Sequence, residues 1–112
     1  SPLDHDRCVA SLSHLPHLLS SSLAHCLDGM PEEWKKLAGR GLMDTTRIAE
    51  GDPELWEQIM MTNKPHLLES VEKLEKSLAM VKEQLSKGSA RELREFLETG
   101  FMFRKSLDNT DQ

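Results

Sequence analysis

The chain has 112 residues and a net charge of −5, with 14 Lys and Arg against 19 Asp and Glu. That length makes one domain, and the acidic balance excludes nucleic acid as the main partner and any anion site that is not local. With only three Phe and no Tyr among 38% hydrophobic residues, the core must come from Leu, Met, Val and Ala, and a Leu-, Glu- and Lys-rich composition predicts an all-α fold.

Residues 1–4 are a short lead-in, with Pro2 and Asp4 suited to a helix start. Helix follows almost at once, which reads as a piece of a longer protein. No basic region followed by a short apolar run opens the chain, so no signal peptide is predicted. The first helix, to about Cys26, is the unusual one. Residues 8–27 contain no Asp, Glu, Lys or Arg, in a chain that is 29% charged. A helix of a small domain normally shows one charged face to water. This one is therefore expected at the centre, largely buried, with the later helices around it. The run has the length of a membrane span, but its five Ser, three His and one Pro make a poor one, and no membrane partner is expected. Cys8 and Cys26 stand about 27 Å apart along the helix, too far for a disulfide. Reduced thiols and a cytoplasmic location follow.

At about 100° per residue, Asp6, Ala10, Ser13, His17, Ser21 and Ala24 share one stripe. Val9, Leu12, Leu15, Leu19, Leu23 and Leu27 form a broad apolar face elsewhere. Buried polar groups need partners, so the polar seam should face polar side chains, water or a ligand. Pro16 removes a backbone donor and leaves the carbonyl of Leu12 without its helical bond. That predicts a kink with Ser13 and the histidines grouped around it.

Asp28-Gly29 ends the helix. Pro31-Glu32-Glu33 opens a short one to about Leu37. Residues 38–41, with two glycines flanking Arg40, read as a loop. Asp44 is read as the N-cap of a helix from Thr45 to about Glu50, which Gly51 stops. Asp52-Pro53-Glu54 starts the next, with a capping aspartate and proline at the first position. It carries Leu55, Trp56, Ile59 and Met60 and ends near Thr62. Asn63 caps the longest helix, where Leu67, Val71, Leu74, Leu78, Val81 and Leu85 make a heptad seam. Glu72, Glu75, Lys76 and Glu83 take its wet side, and Gly88 stops it. Ser89-Ala90-Arg91-Glu92 is a capping box for a last helix expected to bury Leu93, Phe96, Leu97 and Phe101 and to fray from Asn109 to Gln112. The total is about five or six helices. The first and the heptad helix are too apolar for a lone small bundle, so an interlocked homodimer is expected.

His14 and His17 lie on adjacent turns. With His5, His25, Cys8 and Cys26 near in sequence they raise the question of a metal, but neither HExxH nor CxxC is present, and none is expected. Hydrogen-bonded core histidines and ligand-contacting histidines both fit this pattern. Arg47 is the residue type suited to bidentate carboxylate recognition, although a lone arginine on a short helix also serves as a surface ion-pair partner. Trp56 reads as core. Spacing identifies no nucleophile–base pair. Gly39-Arg40-Gly41 is no phosphate loop, because it follows a helix rather than a strand and lacks the third glycine.

His5-Asp6-Arg7, Ser13-His14-Leu15-Pro16-His17, Ala38-Gly39-x-Gly41, Asp44-x-Thr46-Arg47-Ile48-Ala49, Gly51-Asp52-Pro53-x-Leu55-Trp56 and Asn63 occur in this order. The run resembles the C-terminal helical domain of prephenate dehydrogenases and their arogenate-using relatives. Beyond Asn63 only the helical pattern agrees, and Leu42-Met43 departs from the aromatic–basic pair common there. The resemblance implies that residues 1–112 are a dimerisation and substrate-binding domain. It implies an N-terminal dinucleotide-binding domain, absent here, that holds NAD or NADP and the catalytic groups. The whole protein would then be an oxidoreductase that decarboxylates prephenate or arogenate oxidatively toward tyrosine, and this part alone would be inactive. The resemblance makes His17 the substrate-contacting histidine and Arg47 the carboxylate-binding arginine. His5, Asp6, Ser13 and His14 support the same seam, and Gly41 and Trp56 line the pocket. A stand-alone helical interaction module without catalysis is the alternative, and a βαβ unit with GxGxxG encoded just upstream would decide against it.

Overall fold

The computed structural model describes residues 1–110, whose regular elements are all helical, with no strand among them. In chain order they form α1 (Pro2–Val9), a π-helical turn (Ala10–His14), α2 (Leu15–Leu27), α3 (Glu32–Lys35), α4 (Arg40–Thr46), a 3-10 turn (Arg47–Glu50), α5 (Pro53–Thr62), α6 (Lys64–Lys87) and α7 (Ala90–Asp108). None of these helices is long and apolar enough to cross a membrane. The chain divides into two compact units, Ser1–Val71 and the residues from Glu72 onward.

In the first unit α1, the π turn and α2 are one continuous helix. Val9, Ala10, His14 and Leu15 all keep right-handed helical backbone angles. What changes is the register. The N–H of Leu15 donates to the carbonyl of Ala10, five residues back, where an α-helix would use Ser11. The slip falls immediately before Pro16, where the ladder already lacks a donor. A break placed there sacrifices the fewest hydrogen bonds. A π turn also holds more residues than the 3.6 of an α turn. His14, four residues on, therefore returns to the face of Ala10, and Ser13 is turned out to solvent. The buried stripe runs Ala10, His14, His17, Ser20, where the α-helical projection had Ser13 and Ser21.

This helix is buried on its histidine side and open on its leucine side. Leu12 is 68% exposed and Leu19 42%, so one chain does not envelop it. The elements that cover the histidine side come from two places. α2 packs on α4 and the 3-10 turn. The π turn and α1 meet the start of α6, where Ser11 Oγ and Ser70 Oγ share a hydrogen bond of 3.0 Å and an exposed Arg7–Glu69 pair lies at 3.5 Å.

Residues 38–50 fold differently from the expectation. Gly39, extended at φ −97° and ψ −174°, is the N-cap, and its carbonyl accepts the N–H of Met43 at 3.1 Å. Gly41 and Asp44 thus lie inside α4, and of residues 38–41 only Ala38 and Gly39 stay outside a helix. Two helix starts compete along this stretch, one at a backbone cap and one at an aspartate, and the earlier wins. The Thr45 and Thr46 hydroxyls donate to the carbonyls of Gly41 and Leu42, at 2.6 and 2.8 Å, which continues the helix while tending to bend it. The chain then tightens into the 3-10 turn.

α5 starts as its sequence requires. Asp52 accepts the N–H of Glu54 at 3.1 Å, Pro53 occupies the first turn, and the N–H of Trp56 donates to the carbonyl of Asp52 at 3.0 Å. Asn63 begins α6 with its carbonyl, which accepts from Leu67 at 3.0 Å. Its side chain is spent elsewhere: Nδ2 donates to the carbonyl of Asp6 at 2.8 Å and lies 3.4 Å from His14 Nδ1.

In the second unit Gly88, at φ +70°, ends α6. The Ser89 N–H donates to Gln84 at 3.1 Å and that of Gly88 to Leu85 at 3.2 Å, a left-handed C-terminal cap that only glycine adopts without strain. Ser89 then caps α7, accepting from Glu92 at 3.3 Å. Leu93 and Phe96 are half-buried, but Leu97 and Phe101, expected inside, are 59% and 60% exposed. Leu78 and Leu85 of the heptad seam are open as well. Two helices cover only the stripe along which they meet. The expected fraying runs into Asp111 and Gln112, which lie outside the described residues.

Asn63 ties α1 to the α5–α6 junction through one amide. Asn63→Ala in the full-length protein leaves His14 Nδ1 without its partner and the Asp6 carbonyl with only the N–H of Ala10, and is expected to lower stability by about 1–3 kcal/mol. A urea midpoint equal to the parent's at the same slope would remove that anchoring role.

Candidate functional site

Trp56 is the centre of the first unit's polar interior. The imidazole of His17 lies flat on its indole, with ring centroids 3.9 Å apart and planes 11° from parallel. The ring of His14 meets the same indole edge-on, at 6.4 Å and 83°. Two histidines three residues apart on one helix therefore grip one tryptophan from another. His14 is held in turn by Asn63. If the Asn63 amide nitrogen donates, His14 Nδ1 is the acceptor and its proton sits on Nε2.

Gly51 makes the stack possible. A Cβ at this position would lie 2.8 Å from Trp56 Nε1 and 3.0 Å from His17 Cε1, closer than such atoms approach. The local logic is that of a helix start. Gly51 precedes the capping Asp52, and Trp56 is the fourth residue of α5. Side chains at those two positions commonly pack together as a hydrophobic staple. Here the first of them is glycine, and the imidazole of His17 occupies the space a side chain there would take.

The stacked pair is the wall between two clefts. One, of about 490 Å³, is lined by Leu12, Ser13, Pro16, His17, Ile48, Gly51 and Trp56. The other, of about 250 Å³, also includes His17, Gly51 and Trp56 and adds Ser21 and Glu57. The lining of the larger cleft carries no formal charge apart from what His17 gains on protonation. His17 is 6% exposed, yet its ring nitrogens are neither hydrogen-bonded nor sealed from solvent among the described residues. An imidazole so held can donate to, or accept from, a molecule in the cleft. Ser13 offers a hydroxyl on the same side.

The sequence-derived residues are distributed as follows. Ser13, His17 and Trp56 line the larger cleft. His14 stands behind Trp56. Arg47 begins the 3-10 turn, one residue before the cleft-lining Ile48; it is exposed, outside the lining, and makes no ion pair among the described residues. His5 and Asp6 are exposed at the start of α1, with His5 Nδ1 3.4 Å from Asp6 Oδ1. Only the backbone of Asp6 reaches the interior network, through Asn63. Gly41 lies in the first turn of α4, with open space around it. Sequence reasoning treated Gly51 as a helix stop and Asn63 as a cap, and so missed what each does for the site. The spacing Gly-Asp-Pro-x-x-Trp held the signal, since it sets a glycine where a staple residue belongs.

No three His, Cys, Asp or Glu side chains stand together as a metal site among the described residues. No strand precedes a glycine turn among them, and Gly39 and Gly41 open α4 after a turn.

Residues 1–99 match the family described as "Prephenate dehydrogenase, dimerization domain". The chain is 32% identical over 108 residues to the prephenate dehydrogenase of Lactococcus lactis, covering 94% of this chain and 30% of that protein. It is 27% identical over 110 residues to that of Bacillus subtilis, covering 96% and 30%. It therefore spans about a third of the length of the curated relatives it matches. Among solved structures it resembles Synechocystis arogenate dehydrogenase, with a TM-score of 0.88 at 29% identity over 96% of this chain and 40% of that one. It also resembles prephenate dehydrogenase from A. aeolicus in complex with hydroxyphenyl propionate and NAD+, with a TM-score of 0.86 at 35% identity, covering 96% and 38%. A family match over nearly the whole chain and a shared helical fold place it: the chain belongs to the prephenate dehydrogenase dimerization-domain family.

Proposed function

We propose that this domain forms the substrate-side wall of an oxidoreductase acting on prephenate or arogenate, and that it joins two copies of the whole protein as a homodimer. The reaction is oxidative decarboxylation toward tyrosine in the cytoplasm, the compartment in which exposed thiols such as Cys8 and Cys26 stay reduced. NAD or NADP is held chiefly by the dinucleotide-binding domain that the family resemblance implies outside this chain. The observation that carries this reading is the coincidence, inside residues 1–99 of the family match, of an uncharged cleft with an imidazole whose nitrogens are free.

The chemistry needed from these residues is recognition. Prephenate carries two carboxylates, and the chain as a whole is acidic, so binding requires a local cation. Arg47 is the guanidinium nearest in sequence to the cleft lining, and no ion pair engages it among the described residues. Its planar fork suits a carboxylate. His17 and Ser13 complete the polar contacts. The A. aeolicus relative was solved with hydroxyphenyl propionate, a ligand with one carboxylate and one phenol, which an apolar cleft with few polar groups would also accept. Support for the homodimer comes from the open Leu12 of the π turn and Leu19 of α2, and from Leu97 and Phe101 of α7. Apolar surface of this extent on small units is what a second chain covers.

In the full-length enzyme, Arg47→Ala is expected to raise the substrate KM by roughly one to two orders of magnitude, the worth of a charge-assisted hydrogen bond, while the KM for the dinucleotide stays put. An unchanged substrate KM and rate would refute the clamp. Sedimentation of the full-length protein at micromolar concentration should give a dimer. A stable monomer there would sink the assembly.

A further inference from the structure

We propose that Trp56 is a positioning residue for His17: it acts on the ligand through the orientation of the imidazole, and Gly51 is the gap that permits the contact. The inference rests on the reading of His17 as the ligand-contacting group.

A histidine that must present one nitrogen to a ligand is usually aimed by a hydrogen bond to the other. His17 has no such bond among the described residues. What fixes its ring plane is the indole beneath it, 3.9 Å away and 11° from parallel. Offset stacking of this kind leaves the ring edge, and so both nitrogens, free. The indole is itself over-determined. The Asp52 cap and Pro53 set the start of α5, so that Trp56 falls one turn inside it, tied to the Asp52 carbonyl at 3.0 Å. His14 closes on the indole from the edge, and Asn63 holds His14 against the Asp6 carbonyl. On the remaining side Gly51 leaves no room for a Cβ. The sequence Gly51-Asp52-Pro53-x-x-Trp56 therefore supplies a gap, a cap, a start and a platform, and His17 rests on the platform.

This assignment differs from direct contact between Trp56 and the ligand. A tryptophan that packs on the ligand loses its worth whether or not His17 is present. One that aims His17 is worth nothing once His17 is gone. A double-mutant cycle separates the two. In the full-length enzyme, with prephenate as substrate, Trp56→Leu is expected to raise KM roughly tenfold in the parent and less than about twofold in a His17→Asn background. The conservative Trp56→Phe, which keeps a ring to stack on, should recover most of the loss. Gly51→Ala, which displaces the stack without touching Trp56, should behave like Trp56→Leu. In parallel, the His17 Hε1 resonance, assigned by its disappearance in His17→Asn, sits in the shielding region of the indole. It should move downfield in Trp56→Leu and Gly51→Ala.

Equal costs of Trp56→Leu in both backgrounds would overturn the proposal, because Trp56 would then touch the ligand itself. So would a His17 resonance that does not move in either Trp56→Leu or Gly51→Ala. If His17→Asn leaves KM unchanged, the ligand-contacting role of His17 fails, and with it any action of Trp56 on the ligand through that ring. The orientation of the ring by Trp56 is then decided by the resonance alone.

Discussion

One tryptophan held between two histidines is the contact around which the first unit is built. Trp56 belongs to α5, while His14 and His17 belong to the helix made of α1, the π turn and α2. Every other feature of the interior serves their meeting. The π turn brings His14 onto the face already occupied by His17. Gly51 withholds the one side chain that would keep the rings apart. Asn63 pins the far side of His14 to the backbone of Asp6. The unit's order thus comes from aromatic stacking and a short hydrogen-bonded chain more than from a large apolar core. Such networks are demanding, since a half-satisfied one costs more than none.

This accounts for an inversion in the burial pattern. The buried residues of the first unit are Ala10, His14, His17, Ser20, Asn63, Leu67 and Ser70, while Leu12 points outward. The helix buries polar groups on one face and leaves Leu12 and Leu19 open on another, with Leu12 also at the rim of the larger cleft. Both faces carry the absence of charge in residues 8–27. On the inner face it keeps the cleft free of competing ions. On the outer face it leaves a surface that another chain can cover without desolvating charge.

How much of this could be read from the sequence depended on how local the cause was. Asp52-Pro53 and Ser89-x-x-Glu92 are helix starts decided within four residues, and both occur where expected. Gly88 ends α6 for an equally local reason. The start of α4 was missed because Gly39 caps with a backbone carbonyl, which leaves no side-chain mark, whereas Asp44 offers a visible but unused one. That the helical ladder is disturbed next to Pro16 was legible; that the disturbance is a π-type register slip, and not the expected kink, was not. A π turn is chosen when rotating His14 inward is worth a register slip, and that value lies in Trp56, 42 positions along the sequence. Periodicity showed which faces of α6 and α7 are apolar. It could not show that Leu97 and Phe101 stay uncovered within one chain, because an apolar stripe does not say how much of it the neighbouring helix reaches. In the candidate site, residue types pointed to His17 and Trp56 separately. Their stacking was out of reach, since it depends on a glycine that reads as punctuation.

The central claim is that the His17-bearing cleft of the first unit is where a small carboxylate sits. The most direct measurement is a crystal structure of the full-length protein with hydroxyphenyl propionate and NAD+. The account predicts the ligand in the space bounded by Ser13, Ile48 and the stacked pair, with one ligand oxygen about 3 Å from a ring nitrogen of His17. A ligand bound elsewhere, with that cleft empty and His17 untouched, would contradict it.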